Sequence, residues 1–424
     1  MWMLRLTLVI LGLSLAACHT TPAGESKPAT EYRGGQWFDG EKFVARTMWV
    51  AGETFVESRP ARVGAVIDLH NGFVVPPYAE GHNHWLEPAL VDRYVQSYLR
   101  DGIFYVKDHG TAPLFHDQMR PVLAGPASVD YISAHQGFTG PNGHPIEIVD
   151  TLAGLGILPA EWAKTHGEGD ALFVVTSEED LDRAWPRLLA GKPDFVKVFL
   201  VHSDEYAARR DNKVLTPKGR GMDPALVPAI VARAHAAHLR VSAHIENAHD
   251  FHVAIAAGVD DIAHMPFVEK DHPDRDRLAE SDLRAAATRG VTIATTLDWM
   301  QENVTERQIQ VVRGNFANMR RAGNTIVIGT DQFRKTARIE VDLIAARHLM
   351  SNLELLQAWC IATPRAIFPK RKLGRLADGF EASFLVLGGD PLADFANAHR
   401  ITLRVKQGAV LRLQDPAREF PPLR

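Results

Sequence analysis

Pro76-Pro77-Tyr78-Ala79-Glu80-Gly81-His82-Asn83-His84-Trp85 is the stretch on which the reading of the fold turns. Phe73-Val74-Val75 ahead of it is a β-branched and aromatic run, predicted to be a short buried strand. Side chains alternate faces along an extended chain, so His82 and His84 point the same way. Two neutral imidazoles aimed together at a strand end can grip one metal ion, with zinc, iron and nickel all suited. The chain holds 19 histidines, so a His-x-His pair also arises by chance. The rest of the sequence decides between these readings.

Downstream of the pair, apolar strands alternate with helical periodicity, the signature of βα units around a parallel sheet. Strand candidates are residues 103–106, 129–134, 195–200, 241–243, 261–263, 291–294 and 325–328, which with 73–75 make eight. Residues 225–238, 248–257, 281–289 and 305–321 between them have helical spacing. Eight such units predict an α/β fold, a (β/α)8 TIM-like barrel over residues 73–370, with its chemistry at the C-terminal ends of the strands. Residues 31–72 and 371–424 carry short alternating segments broken by glycines. They are expected to pair into one flanking β-sandwich built from both chain ends.

The strand ends carry a pattern of their own. Asp194-Phe195-Val196-Lys197-Val198-Phe199-Leu200 puts a lysine inside an apolar strand, where an ammonium is costly without a partner. It is either paired with an interior carboxylate or chemically modified. Val241-Ser242-Ala243-His244 and Asp261-Ile262-Ala263-His264 end the fifth and sixth strands in histidine. Val327-Ile328-Gly329-Thr330-Asp331 ends the eighth in an acid, which could also cap the next helix. Four histidines, one interior lysine and one acid at successive strand ends form a set that chance does not readily produce.

On His82-x-His84, Lys197, His244, His264 and Asp331, the chain resembles the amidohydrolase superfamily, and within it the imidazolonepropionase-like and prolidase-type members. Residues 254–264 resemble that family's approach to its sixth-strand ligand, and Gly388-Gly389-Asp390-Pro391-Leu392 its closing segment. Two departures are Tyr78-Ala79-Glu80-Gly81 in place of the common Gly-Leu-Ile-Asp, and Ser383 where an aspartate is frequent. The resemblance implies two divalent metal ions, zinc first, with manganese, cobalt or iron also accommodated. His82, His84 and Asp331 would hold one ion and His244 and His264 the other. Lys197, carboxylated by carbon dioxide to a carbamate, would bridge them together with a hydroxide. Asp331 would act as general acid and base in cleaving an amide C–N bond.

The substrate implied is a dipeptide or N-acyl amino acid. The long loop His135 to Pro145 resembles one that in prolidase-type members offers a histidine to the substrate, which here would be His144, with His135 as second candidate. Tyr206, Arg209 and Arg210 after the fourth strand, and Arg334 and Lys335 after the eighth, are candidate contacts to a carbonyl or carboxylate. Three alternatives stand beside this reading. The same site could serve a cyclic-amide or lactone hydrolase. A one-metal deaminase would want an acid three residues after His244, where Asn247 stands with Glu246 one place early. A non-catalytic binding protein on the same scaffold would have no need of Lys197 or Asp331.

The bulk properties fit a globular enzyme. Of 424 residues, 46% are hydrophobic and 23% charged, and 51 acidic against 47 basic residues give a net charge of −4. Spread without long runs, these charges give no footprint for nucleic acid. Residues 1–17 read as an export signal, with Arg5, an apolar run and small residues before Cys18. Leu15-Ala16-Ala17-Cys18 resembles the lipobox of bacterial lipoproteins, which implies lipidation of Cys18 and a tether over 18–30. The expected location is the outer membrane, facing the periplasm. Once Cys18 is lipidated, Cys360 leaves no partner for an internal disulfide. Partners are then a small amide or peptide and the membrane through Cys18, with room for a homo-oligomer.

Overall fold

The computed structural model describes residues 28–125, 127–301, 303–413 and 420. The proposed export signal and Cys18 lie outside these residues. No helix among the described residues is long and apolar enough to cross a membrane.

Eight barrel strands run in chain order: Tyr78–Asn83, Ile103–Asp108, Asp130–Ser133 continued by Gly137–Thr139, Phe195–Phe199, Arg240–His244, Asp261–Ile262, Thr292–Ala294 and Thr325–Val327. Each pairs in parallel with the next. Strands eight and one close the ring, where Gly81 N–H donates to Ile328 O at 2.7 Å and Asp331 N–H to His82 O at 2.9 Å. Strands such as Phe195–Phe199 are buried at every position, which is why they read as unbroken apolar runs rather than alternating ones. Inside the barrel, Lys107 of strand two meets Asp261 of strand six as a buried ion pair, and Thr292 Oγ1 donates to Asp261 at 2.7 Å.

The structure corrects the start of the barrel. Phe73–Val75 is not its first strand; it belongs to the flanking sheet, parallel to Ala29–Phe38 and antiparallel to Phe384–Leu387. It therefore stitches the two chain ends together. The true first strand, Tyr78–Asn83, is buried throughout yet reads Tyr-Ala-Glu-Gly-His-Asn. With no apolar run, it gives the periodicity argument nothing to register. The third strand is also split, because His135 takes a left-handed φ of 58° between its halves.

The flanking sheet draws five strands from residues 29–75 and three from 384–410. Thr54 bridges to Glu381, curling the sheet around its own core, where the Trp37 and Phe55 rings both pack on Phe384, at 5.4 and 5.7 Å between centroids. Tyr78 fixes the barrel to the C-terminal segment. Its ring stacks on Trp359 at 3.7 Å and its hydroxyl donates to Ala398 O at 2.9 Å.

One buried acid ties the barrel top together. Glu340, on helix Arg338–Ala346, accepts Leu297 N–H with both oxygens at 2.9 Å, and burial pushes its pKa up to about 8. Folding therefore takes up a proton between the ordinary carboxyl value and about pH 8. Stability falls across that window as pH rises, by about 1.4 kcal/mol per unit. Glu340→Gln removes this titration, so its denaturation midpoint should gain on the parent steadily from pH 5 to 8. Parallel midpoint-against-pH curves for the two proteins would refute the assignment.

Candidate active site

His82 and His84 leave the end of strand one on the same face, as the strand period requires, and converge on Asp331. His82 Nε2 stands 3.2 Å and His84 Nε2 3.1 Å from Asp331 Oδ1, and the three ligand atoms could hold one ion. The close approach of strands one and eight makes this possible: a Cβ at Gly329 would sit 2.7 Å from His82 N. Asp331 itself adopts a left-handed φ of 55°, a conformation aspartate tolerates better than most residues. It caps no helix; its carboxylate faces the two imidazoles.

Across the mouth, His264 Nε2 and His244 Nδ1 lie 2.8 Å apart. The outer nitrogens fix the tautomers. His264 Nδ1 donates to Met265 O at 3.1 Å, His244 Nε2 to Glu246 Oε1 at 3.3 Å, and His82 Nδ1 to Ala263 O at 2.5 Å. Each ring then turns its other nitrogen inward, His244 and His264 toward each other and His82 toward the Asp331 carboxylate. Imidazole nitrogens and a carboxylate gathered in this way can serve as ligands to a cation. Burial also keeps the rings neutral, holding His82 low, His244 well below the ordinary imidazole value and His264 down to about 3. Burial works to raise Asp331, but the His82 and His84 imidazoles hold it well below the usual carboxylate range.

Lys197 lines the same cavity as His82, His84, Asp331 and His244. It is 1% exposed, and Nζ makes no hydrogen bond among the described residues. Its charge bears on His82, His244 and His264 alike. Register pairs it with Gly137, where a Cβ would meet the Lys197 stem at 3.2 Å and the Phe199 ring at 2.6 Å. Burial lowers its pKa to about 7, so a large share of the amine is neutral near pH 7. This is not the ion-paired interior lysine that the sequence left open.

His144 reaches the cavity, its ring 4.4 Å from that of His244. Glu147 accepts its Nδ1–H at 2.5 Å, which leaves Nε2 as the atom offered to a ligand. The other candidate contacts, His135, Tyr206, Arg209, Arg210, Arg334 and Lys335, do not line the cavity. His135 is buried, its Nδ1 bonded to Thr111 O at 3.0 Å. Arg334 spends its fork on Glu87, with Nε 2.7 Å from Oε2. Tyr206 opens the short helix Tyr206–Arg209, whose neighbours Arg209 and Arg210 pair with Glu205 and Asp211. His135, Arg334 and Tyr206 sit on segments whose hydrogen bonds turn the side chain aside.

Sequence reasoning passed over two residues at the site, His109 and Glu147, and noted Glu246 only as an acid one place early. His109, buried at the end of strand two, stacks on His82 at 3.9 Å and bonds Ser242 Oγ at 3.1 Å. Its shared parity with Lys107 was the available signal. Glu147 follows His144 by three residues in the same loop. Glu246 lines the cavity beside His244, and burial pushes it up to about 8. Asn247, by contrast, is spent as the N-cap of helix Ala248–Ala257, accepting Asp250 N–H at 2.8 Å.

The structure is a closed parallel barrel with histidines and an acid at the C-terminal ends of its strands, where such barrels carry their chemistry. Residues 210–411 match the model of the amidohydrolase family. No curated protein sequence matches the chain. Among solved structures, a prolidase complexed with N-methylphosphonate-L-proline is similar at 19% identity and TM-score 0.68, covering 91% of this chain and 100% of its own. A. niger ochratoxinase is similar at 16% identity and TM-score 0.70, over 90% and 95% of the two chains. A Xaa-Pro dipeptidase with bound methionine gives 16% and 0.68, over 90% and 99%. At these identities the likeness establishes the fold.

Proposed function

We propose that the protein is a two-metal amidohydrolase that cleaves the C–N bond of an N-acyl amino acid or dipeptide. The observation that carries this reading is Lys197, a buried amine with no hydrogen-bond partner among the described residues, lining the same cavity as His82, His84, Asp331 and His244. A neutral amine of this kind adds to carbon dioxide, forming an N–C bond and releasing a proton. The resulting carbamate is an anion with two oxygens, one for each side of the site. His82, His84 and Asp331 would hold one divalent ion and His244 and His264 the other. When bound, such ions supply the Lewis acidity that polarises a carbonyl and acidifies a shared water.

The chain's own groups do the rest. Asp331, kept ionised by its two histidine neighbours, takes the proton from the attacking water and delivers it to the departing amine nitrogen. Water contributes its hydroxyl to the acyl carbon as the C–N bond breaks. Glu246 holds His244 in its tautomer, as Ala263 O does for His82. His144, set by Glu147, presents Nε2 to the carbonyl or carboxylate of the substrate.

A one-metal deaminase is the second reading; Glu246 stands one place short of the position such an enzyme would want, but it lines the cavity and is the acid available for that role. Metal content separates the two. Protein purified without chelators should contain about two equivalents of zinc, manganese or cobalt per chain and should hydrolyse N-acyl amino acids or dipeptides. One equivalent, with ammonia released from aminated rings, would replace this reading with the second.

A further inference from the structure

We propose that the inner end of the active-site cavity is a subsite for a large apolar group of the substrate, a medium-length alkyl chain or an aromatic ring system. The proposal rests on the amide-hydrolase reading above and makes its substrate specific. The cavity measures about 580 Å³ and runs without interruption from His82, His84 and Lys197 to Leu158, Trp162 and Leu172. A pocket that just holds benzene is on the order of 150 Å³, so the whole cavity, metal end included, has about four times that volume.

The inner wall is a built chamber. Ala112, Phe115, Val149, Leu158, Trp162 and Leu172 belong to an apolar cluster of their own, separate from the barrel core. The Phe115 and Trp162 rings stack at 5.7 Å to form one side. Most of the cluster comes from helix Ile146–Gly154, helix Trp162–Thr165 and strand Leu172–Val174, all inserted between barrel strands three and four. Connections of this kind usually take about 2–6 residues. A small core wrapped around a cavity forgoes packing that slightly larger side chains would restore, which points to a space kept for a ligand.

Polarity is graded along the cavity. His144, Glu147 and Glu246 gather around His244 at the metal end. Along helix Ile146–Gly154 the lining passes from Glu147 to Val149 and Leu152. Among the described residues that line the cavity, the charged ones are Glu147, Lys197, Lys218, Glu246 and Asp331, and Leu152, Leu158, Trp162, Ala171 and Leu172 of the chamber wall are apolar. An ammonium or carboxylate placed there would lose its hydration with nothing to replace it. The geometry thus favours amides bearing an apolar acyl or aryl group over free dipeptides.

The test uses the full-length, metal-loaded protein and N-acyl derivatives of one amino acid from acetyl to decanoyl, with the 1-naphthoyl amide added. kcat/KM should rise about fourfold per added methylene until the chamber is filled. Val149→Phe, which narrows the chamber, should compress the decanoyl-to-acetyl ratio by about tenfold or more. Hydrolysis with a flat chain-length series would overturn the chamber and leave the hydrolase reading standing. If no amide is cleaved, the hydrolase reading falls, and titration with decanoate decides the chamber alone. Saturable binding weakened by Val149→Phe would keep it, and no saturable binding would overturn it.

Discussion

Lys197→Ala should lower bound metal from about two equivalents per chain to about one and cut kcat by roughly 10³-fold, the rate equivalent of about 4 kcal/mol. A lysine at 1% exposure without a hydrogen-bond partner among the described residues is costly to keep, and burial lowers its pKa to about 7 instead of a carboxylate rescuing the charge. The Coulomb attraction of Asp331 is present but does not prevail over desolvation. As a carbamate the same side chain turns from a destabilising cation into the anion that neighbouring cations require. Alanine removes the bridge and leaves space over Gly137, whose missing side chain already makes room for the lysine stem. Acetate or propionate added to the variant should enter that space and restore part of both metal content and turnover. Metal analysis and steady-state rates with and without the acid make the measurement. Two retained metals with full activity would reduce Lys197 to a structural residue.

Five of the six proposed ligands were legible because each stands at or just past a strand end, and strand parity alone fixes which side chains share a face. Lys197 was conspicuous for the opposite reason, as a charge inside an apolar run. The flanking sheet from both ends was legible in its alternation and glycine breaks. What stayed hidden follows from the same physics. Tyr78–Asn83 is buried by its position at the barrel seam, not by apolar side chains, so the preceding Phe73–Val75 took its place in the reading. His135, Tyr206 and Arg334 have the chemistry of substrate contacts, but Thr111 O, a short helix and Glu87 direct them elsewhere. Val149, Leu152 and Trp162 look like ordinary core residues in a sequence. Only their arrangement around a cavity distinguishes a chamber from a core.

Asp331→Asn should keep its metals and lose amide turnover by roughly 10⁴-fold, the upper range for a lost proton carrier. The substitution is nearly isosteric, and asparagine tolerates the left-handed φ of 55° as well as aspartate does. The backbone bond from residue 331 N–H to His82 O at 2.9 Å is untouched, so barrel closure and the approach of His82 and His84 survive. One amide oxygen remains for the ion, but no basic site remains for the proton. Amide cleavage needs that proton, since an amine leaves poorly as its anion; an alkoxide from an activated ester needs it far less. The matched ester of the same acyl group should therefore fall much less than the amide. Metal analysis, with kcat for the ester and amide pair, separates the two roles of Asp331. Equal losses on both substrates with one metal missing would make Asp331 a ligand only. Amide turnover within about tenfold of the parent would remove it from the proton path, because general acid–base catalysis at a single group contributes at least 10²-fold.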